Sequence, residues 1–378
     1  MIAGGAAPTS APFAHALIAW QKQHGRHHLP WQNTRDPYRI WLSEIMLQQT
    51  QVAAVVPYYT RFLARFPTLQ TLAQGTHDEV MALWSGLGYY ARARNLHRCA
   101  QVICAEHAGQ FPQNAATIAT LPGIGRSTAA AIAAFAFGER TAILDGNVKR
   151  VLCRHFGVEG FPGQAQIEKS LWSLAEQLLP EQDIESYTQG LMDLGATLCQ
   201  RSQPRCTRCP LQKSCVAKRE HRTDTLPTAR PPRAQPQRHA LMLVLQHDND
   251  VLLEKRPASG IWGGLWSLPQ MELNTAEFSR GVASTATTST QPNALQVRVA
   301  RLLQNLSITP QQTQAIEELT TFTHTFTHFK LSVLPVRVRL LKHLVNHIES
   351  DQGRWQALRT IDQIGLPAPV RRLLESLK

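Results

Sequence analysis

Four cysteines crowd into "GATLCQRSQPRCTRCPLQKSCVAKRE": Cys199, Cys206, Cys209 and Cys215, spaced C-x6-C-x2-C-x5-C. A zinc ribbon needs two C-x2-C pairs with a longer span between them, and only Cys206 and Cys209 are so paired. Four thiolates on one short irregular loop can instead enclose a compact cube of iron and sulfide, with zinc as the alternative occupant. Either would staple the loop to the helix ending at Cys199. Arg201, Arg205, Arg208, Lys213, Lys218 and Arg219 surround the thiols, so the stapled loop would present a fixed basic surface suited to phosphates. A second chemical feature is "LPGIGRSTAAAIAAFAFG", where Gly123 and Gly125 precede an Ala-rich helix. Glycines there let backbone N–H groups point outward at a helix N-terminus, which holds a phosphate without reading a base. An ordinary helix–turn–helix corner has the same pattern. A third is Asp145 in "AILDGNVKRVL", either the N-cap of the next helix or an anion at the mouth of a cleft. Lys149, four residues on, is placed to pair with it or with a phosphate.

The chain that must position these groups has 378 residues, enough for two or three domains, and a formal charge of +12. That surplus favours a polyanionic partner, nucleic acid above all. There are seven cysteines, and Cys99, Cys104 and Cys153 are scattered, which argues against a disulfide framework and for a reducing cytoplasm. The N-terminal "MIAGGAAPTSAPFAHALIAW" lacks the positive region and continuous apolar core of a signal peptide, and "AAAIAAFAFG" is too short to span a bilayer. Residues 13 to about 220 read as helical. "DPYRIWLSEIMLQQT" opens with Asp36 as N-cap and Pro37 at the first helical position. "THDEVMALWSGLGYYARARNLHRCAQVICAEH" holds two helices broken at the 86–88 glycine turn, and more follow at "AATIATL", "RSTAAAIAAFAF", "NVKRVLCRHF", "IEKSLWSLAEQLL" and "SYTQGLMDLGATLC". "LPTARPPRAQPQ" reads as an extended linker. After it, "RHALMLVLQHDNDVLLEKRP" reads as a β-hairpin, "FTHTFTHFKLSVLPVRVRL" as strand and "APVRRLLESLK" as a final helix.

In order along the chain, "LPWQ", "SEIMLQQTQV", "GLGYYARARNLH", "LPGIGRSTA", "ILDGNVKRVL", "MDLGATLC" and the cysteine loop resemble the MutY-type adenine DNA glycosylases, helix-hairpin-helix enzymes of the endonuclease III superfamily. The resemblance covers nearly the whole chain. It implies a bacterial cytoplasmic monomer, associated with the nucleoid through DNA, that carries a [4Fe–4S] cluster on the four cysteines. Its substrate would be double-stranded DNA with 8-oxoguanine:adenine or guanine:adenine mispairs, from which it removes adenine. Glu44 in "SEIMLQQ" matches the general acid that protonates adenine N7 and later activates water. Partial burial on an apolar helix is expected to raise its pKa. Asp145 matches the group that stabilises the sugar cation, and Asn147 a residue that hydrogen-bonds the active site. Trp31, Leu47 and Gln189 match positions lining the adenine pocket, and Gln189 has the donor–acceptor pair to read an adenine edge. A stacked, paired adenine must be flipped out. Gln49 matches the residue that fills the gap left in the duplex, and Tyr89 a wedge beside 8-oxoguanine. In related lyases a Lys follows the glycine turn and attacks the sugar as a Schiff base. Here Ser127 stands in that place, and an alcohol cannot form an imine. The resemblance thus implies a monofunctional glycosylase, with Lys149 as the candidate for weak adventitious lyase chemistry.

Farther on, "LLEKRPASGIWGGLWSLPQ" resembles a NUDIX fold. Its hydrolase box requires a Glu-rich helix holding metal beside a pyrophosphate. "MELNTAEFSRGVASTATTST" lacks that cluster, so a base-reading surface without hydrolysis is expected. Phe326, Thr327 and His328 match a Phe-Ser-His loop that recognises 8-oxoguanine, with Thr for Ser, and "FTH" occurs again at 322–324. Three readings compete: a glycosylase for oxidised pyrimidines, a non-catalytic iron–sulfur DNA-binding module, and a nucleotide-pool hydrolase. Ser127, the acid pair and the missing Glu-rich helix count against them in turn. The expected fold is mainly α: a helix-hairpin-helix glycosylase domain over 1–225 with its cluster loop at 199–215, a Pro-rich linker over 226–237, and an α+β NUDIX-like domain over 238–378.

Overall fold

The structure, a computed structural model, describes residues 10–231, 234–283, 294–342 and 353–378. Parts of three stretches read above, 1–9, 232–233 and 284–290, lie outside them. Helices come first: α1 (Ser10–His24), α2 (Pro37–Leu47), α3 (Val52–Arg65), α4 (Leu69–Gln74), α5 (His77–Trp84), α6 (Ala91–Glu106), α7 (Ala115–Ile118), α8 (Arg126–Phe137), α9 (Gly146–Phe156), α10 (Ala165–Gln177), α11 (Ile184–Thr197) and α12 (Val216–Arg219). Strands begin at Gln237: β1 (Gln237–His247), β2 (Asp250–Lys255), β3 (Trp266–Ser267) and β4 (Gln270–Leu273). Then come α13 (Thr275–Ala283), α14 (Ala294–Asn305), β5 (Thr313–Glu318), β6 (Phe322–Thr325), β7 (Lys330–Leu340), β8 (Gly353–Ala357) and α15 (Ala368–Glu375). By contacts the chain forms two units, Met1–Gly75 with Asn95–Pro232, and Thr76–Arg94 with Arg233–Lys378.

In the first unit the caps written in the sequence fix where helices start. Asp36 Oδ1 accepts from Tyr38 N at 2.9 Å and Pro37 opens α2. Asp145 does the same for α9, accepting from Val148 N at 2.8 Å. The buried surface of α8 is mostly alanine, and α2 and α11 pack upon it. α11 also packs on α1 and α9. Leu17, Ala134, Leu144, Val148, Leu152, Leu171, Leu191 and Leu194 form the shared core. The expected linker is anchored at its start: Leu226 is buried, and Thr228 Oγ1 accepts from Gly160 N at 3.1 Å.

The second unit is a mixed sheet in the order β3-β2-β1-β7-β5, with β4 on β1, β6 on β7 and β8 on β2. β1 and β2 form the expected hairpin, with His247 opposite Asp250. β1 runs parallel to β7, buried from His239 to Gln246 on both faces, as a central strand must be. Leu241, Leu243 and Leu245 pack against Leu295, Val299, Leu302 and Leu303 of α14. Thr76–Arg94 interrupts the stretch 1–225 by grouping here. Asp78 pairs with Lys255, Ser85 Oγ donates to Leu366 O at 2.8 Å, and Arg94 Nη1 donates to Gly263 O at 2.6 Å. Such polar pairings leave no periodic trace in the sequence.

Gly123 has φ +77, and a Cβ there would meet Asn95 Cβ at 2.5 Å. Gly123→Ala is expected to lower the unfolding free energy by about 1–3 kcal/mol. Gly125, at φ −88 with open space before it, should tolerate Ala at much smaller cost. Paired denaturant melts check both, and equal effects would contradict the assignment.

Candidate active site

Ile40, Trp41, Leu42, Ser43, Ile45 and Met46 bury α2 on nearly every side. A helix apolar all round goes inside, and the Glu44 carboxyl goes in with it. Ile40, Glu44 and Leu47 share one face by helical spacing and line a cavity of about 620 Å3. Trp31, from the connection between α1 and α2, and Gln189 of α11 line the same cavity. The structure therefore brings together Glu44, Trp31, Leu47 and Gln189. Trp31 is buried, its ring edge-on to Tyr59 at 5.4 Å.

Asp145 does not line that cavity, but its charge acts on Glu44. Both carboxyls are partly accessible yet closely surrounded by protein atoms. Burial pushes Glu44 up to about 8, and the Asp145 charge adds to the rise. Burial also raises Asp145, but there the N–H groups of Val148 and Asn147 and the charges of Arg150 and Lys149 pull the other way. No opposing group acts on Glu44. Of two acids in one field, the less stabilised anion takes the first proton. The Glu44 anion thus has no stabilising partner where the Asp145 anion has four.

Around Asp145 the chain is pinned by side chains. Ser127 Oγ accepts from Leu144 N at 2.9 Å. Lys149 Nζ is ion-paired with Glu168 at 2.7 Å. Asn147 Oδ1 accepts from Arg150 Nη2 at 2.8 Å, and the same Arg150 donates through Nε to Cys199 O at 2.7 Å and through Nη2 to Gly195 O at 2.8 Å.

Cys199, Cys206, Cys209 and Cys215 are free thiols that line a single cavity with Leu198, Pro204 and Arg154. Among the described residues no group of His, Cys, Asp and Glu converges closely enough for a lone metal ion. The four thiols line one shared space, so a group bound there could be reached by all of them. Burial, and then the neighbouring Cys199, Cys215 and Cys206, push Cys209 up to about 12. Four thiolates there need a cationic centre between them. Buried Arg154 binds the loop from α9: Nη1 donates to Gln200 O at 2.6 Å, Nη2 to Arg201 O at 3.1 Å and Nε to Leu226 O at 2.8 Å.

Of the remaining assigned residues, Gln49 is exposed at φ +54 directly after α2, and Gly123 and Gly125 form the turn before α8. In the second unit Tyr89 is exposed at φ +49. Left-handed backbone is uncommon for such residues, and such strain clusters at functional sites. Phe326, Thr327 and His328 form the tip between β6 and β7, whereas the other "FTH" copy lies within β6. Phe326 stacks on Phe329 at 4.6 Å and packs edge-on to His324 at 4.6 Å, while Thr327 and His328 are exposed.

The description "HhH-GPD superfamily base excision DNA repair protein" fits residues 42–177, and a NUDIX domain fits 240–376. An adenine DNA glycosylase of Buchnera aphidicola (subspecies Acyrthosiphon pisum) is 35% identical over 366 residues, 97% of each chain. The chain belongs to the adenine DNA glycosylase family. A human adenine DNA glycosylase is 33% identical over 379 residues, covering 85% of this chain and 65% of its own. A solved thermostable thymine-DNA glycosylase superposes with a TM-score of 0.52 at 30% identity, covering 56% of this chain and 97% of its own. No described helix is long and apolar enough to cross a membrane.

Against the family motifs, sequence reasoning passed over Arg150, Arg154, Arg26 and Asp193. Arg150 and Arg154 act through carbonyls remote in sequence and Arg26 through the Asp193 carboxylate, partners that spacing does not reveal. Asp193 carried a signal in "MDLG", an acid on the apolar side of a helix, and it is wholly buried.

Glu44 binds its proton more tightly in the folded chain than in the unfolded one. The stability this contributes is full below the ordinary value of 4.5 and is lost as pH rises to about 8. Glu44→Gln should be indistinguishable in stability near pH 4.5 and more stable than the parent near pH 9, by on the order of a few kcal/mol. Chemical denaturation across that pH range tests this, and parallel curves for the two proteins would remove the raised acid.

Proposed function

We propose that this chain removes adenine from 8-oxoguanine:adenine and guanine:adenine pairs in duplex DNA and leaves an uncut abasic site. The observation that carries the reading is a carboxyl held at about 8, Glu44, in the wall of a base-sized cavity. The adenine is flipped into that cavity between Trp31 and Leu47 and meets Gln189. Glu44 gives its proton to N7, the C1′–N9 bond breaks with its electron pair going to the base, and the sugar is left as an oxocarbenium ion. The Asp145 anion, held by the Val148 N–H and flanked by Lys149 and Arg150, stabilises that cation, with Asn147 fixed beside it by Arg150. Glu44, now a carboxylate, takes a proton from the water that attacks C1′.

Strand cutting would need an amine at the sugar. Ser127 has none and is engaged with Leu144 N, and Lys149 is bound to Glu168. Backbone N–H groups at Gly123 and Gly125 face phosphate at the start of α8. Gln49 fills the vacated stack, Tyr89 wedges beside 8-oxoguanine, and Phe326, Thr327 and His328 read that base. Cys199, Cys206, Cys209 and Cys215 would hold a [4Fe–4S] cluster, which when bound supplies a rigid link between the end of α11, the loop and α12. The chain acts as a monomer, in the cytoplasm.

Single-turnover excision on an 8-oxoguanine:adenine duplex, read by alkaline cleavage, is expected for the parent, with no cut before alkali and no borohydride-trapped adduct. Glu44→Gln and Asp145→Asn should each slow it at least about 100-fold, and the parent rate should fall as pH rises through about 8. Activity retained in both variants, or a trapped adduct, would overturn the reading. Purified protein is expected to be brown and to contain iron and sulfide in equal amounts; a colourless zinc protein would overturn the cluster assignment.

A further inference from the structure

We propose that Asp193 makes the cavity select a 6-amino purine over a 6-oxo purine, by fixing which atom of Gln189 faces the base. This rests on the adenine-excision reading and adds to it a specificity-determining residue that does not touch the base. Asp193 lies on α11 and has no exposed surface. Its carboxylate has three donors: Arg26 N at 2.8 Å on Oδ2, and Arg26 Nε at 2.7 Å and Gln189 Nε2 at 2.9 Å, both on Oδ1. Arg26 and Gln189 line the cavity, and Asp193 sits behind them outside the lining.

The consequence follows from what each group can donate. An amide side chain has two faces, one donating and one accepting, and nothing in its shape chooses between them. A carboxylate gripped by a guanidinium and a backbone N–H offers only acceptors. It can therefore meet Gln189 only through the NH2, which leaves Oε1 as the atom offered to the cavity. An acceptor there pairs with an exocyclic amine, whose N–H groups point at it. It opposes the carbonyl of a 6-oxo purine, which would leave two lone-pair oxygens face to face and both unpaired. The fold fixes the clamp closely. A Cβ at Gly25 would stand 2.5 Å from Gln21 O and 3.0 Å from Asp193 Oδ2, and one at Gly190 would stand 3.0 Å from Leu17 Cγ. The glycine of α11 thus seats the Leu17 and Gln21 side chains of α1 directly against its backbone, and Gly25 leaves room for the Asp193 carboxylate at the exit of α1.

Asp193→Asn keeps the shape but gives the amide partner a donor of its own, so Gln189 can turn its NH2 into the cavity. The test compares single-turnover excision of adenine and of hypoxanthine, each opposite 8-oxoguanine, by the full-length parent and variant. The adenine-to-hypoxanthine rate ratio should fall about 10-fold or more in the variant, with the fold verified by its thermal transition. A merely structural role would slow both bases by the same factor, and an unchanged ratio overturns the proposal. If Asp193→Asn does not fold, Gln189→Leu, which keeps the Asp193–Arg26 pair, decides: the ratio must collapse, and a preserved ratio overturns the proposal. A parent that excises neither base defeats the adenine-glycosylase reading instead, so the two failures are distinguishable.

Discussion

Two carboxyl groups within reach of each other's charge, both taken largely out of water, set the terms for the first unit. Removing water raises both acids, and the Asp145 charge adds to the rise of Glu44. The fold breaks this symmetry with position alone. Glu44 comes from the middle of a buried helix, where backbone N–H groups are already spent on the helix. Asp145 comes from a helix start, where N–H groups are free and the dipole favours an anion. The carboxylate form therefore lacks partners in one place and finds several in the other.

Holding Asp145 at that start takes more than a cap. The residue before it is tied to Ser127, the asparagine after it to Arg150, and Arg150 in turn to the carbonyl of Cys199. The cysteine loop and the helix start are thus joined through a single guanidinium, whose planar donors can serve several carbonyls at once. Arg154, one helical turn on, repeats the device for the carbonyls of Gln200, Arg201 and Leu226. A loop of irregular backbone has many carbonyls with no partner of their own. Two arginines on α9 meet those facing them, so the loop's position is coupled to α9 before any cluster is considered.

Much of this was legible in the sequence, in proportion to how local its cause was. Asp36 with Pro37, the 86–88 glycine turn and the hairpin at 247–250 are decided by a few adjacent residues, and they stand where the sequence puts them. Glu44 was recognisable by matching a motif, and the physical reason for its acidity, an apolar helix, was visible in the same eleven residues of α2. The grouping of Thr76–Arg94 with the sheet was not legible, because it depends on Asp78, Ser85 and Arg94 finding partners far along the chain. Nor were Arg150 and Arg154, whose partners are backbone carbonyls and leave no mark on residue type. β3, with two residues, is too short for alternation to reveal it.

Local rules are broken at a few places among the described residues. An acid sits in an apolar helix, an aspartate is wholly buried, and a glutamine and a tyrosine hold left-handed backbone on the surface. Each lowers stability relative to an ordinary residue there, and each needs surrounding structure to persist. Glu44 is tolerated because it can keep its proton, Asp193 because three donors enclose it, and Gln49 because a rigid helix ends just before it. The compensation differs in each case, but small residues recur in the packing around it: α11 meets α1 at Gly190 and α9 at Gly195, and α2 and α11 both pack on the Ala-rich α8. That close packing makes the strained positions cheap enough to keep.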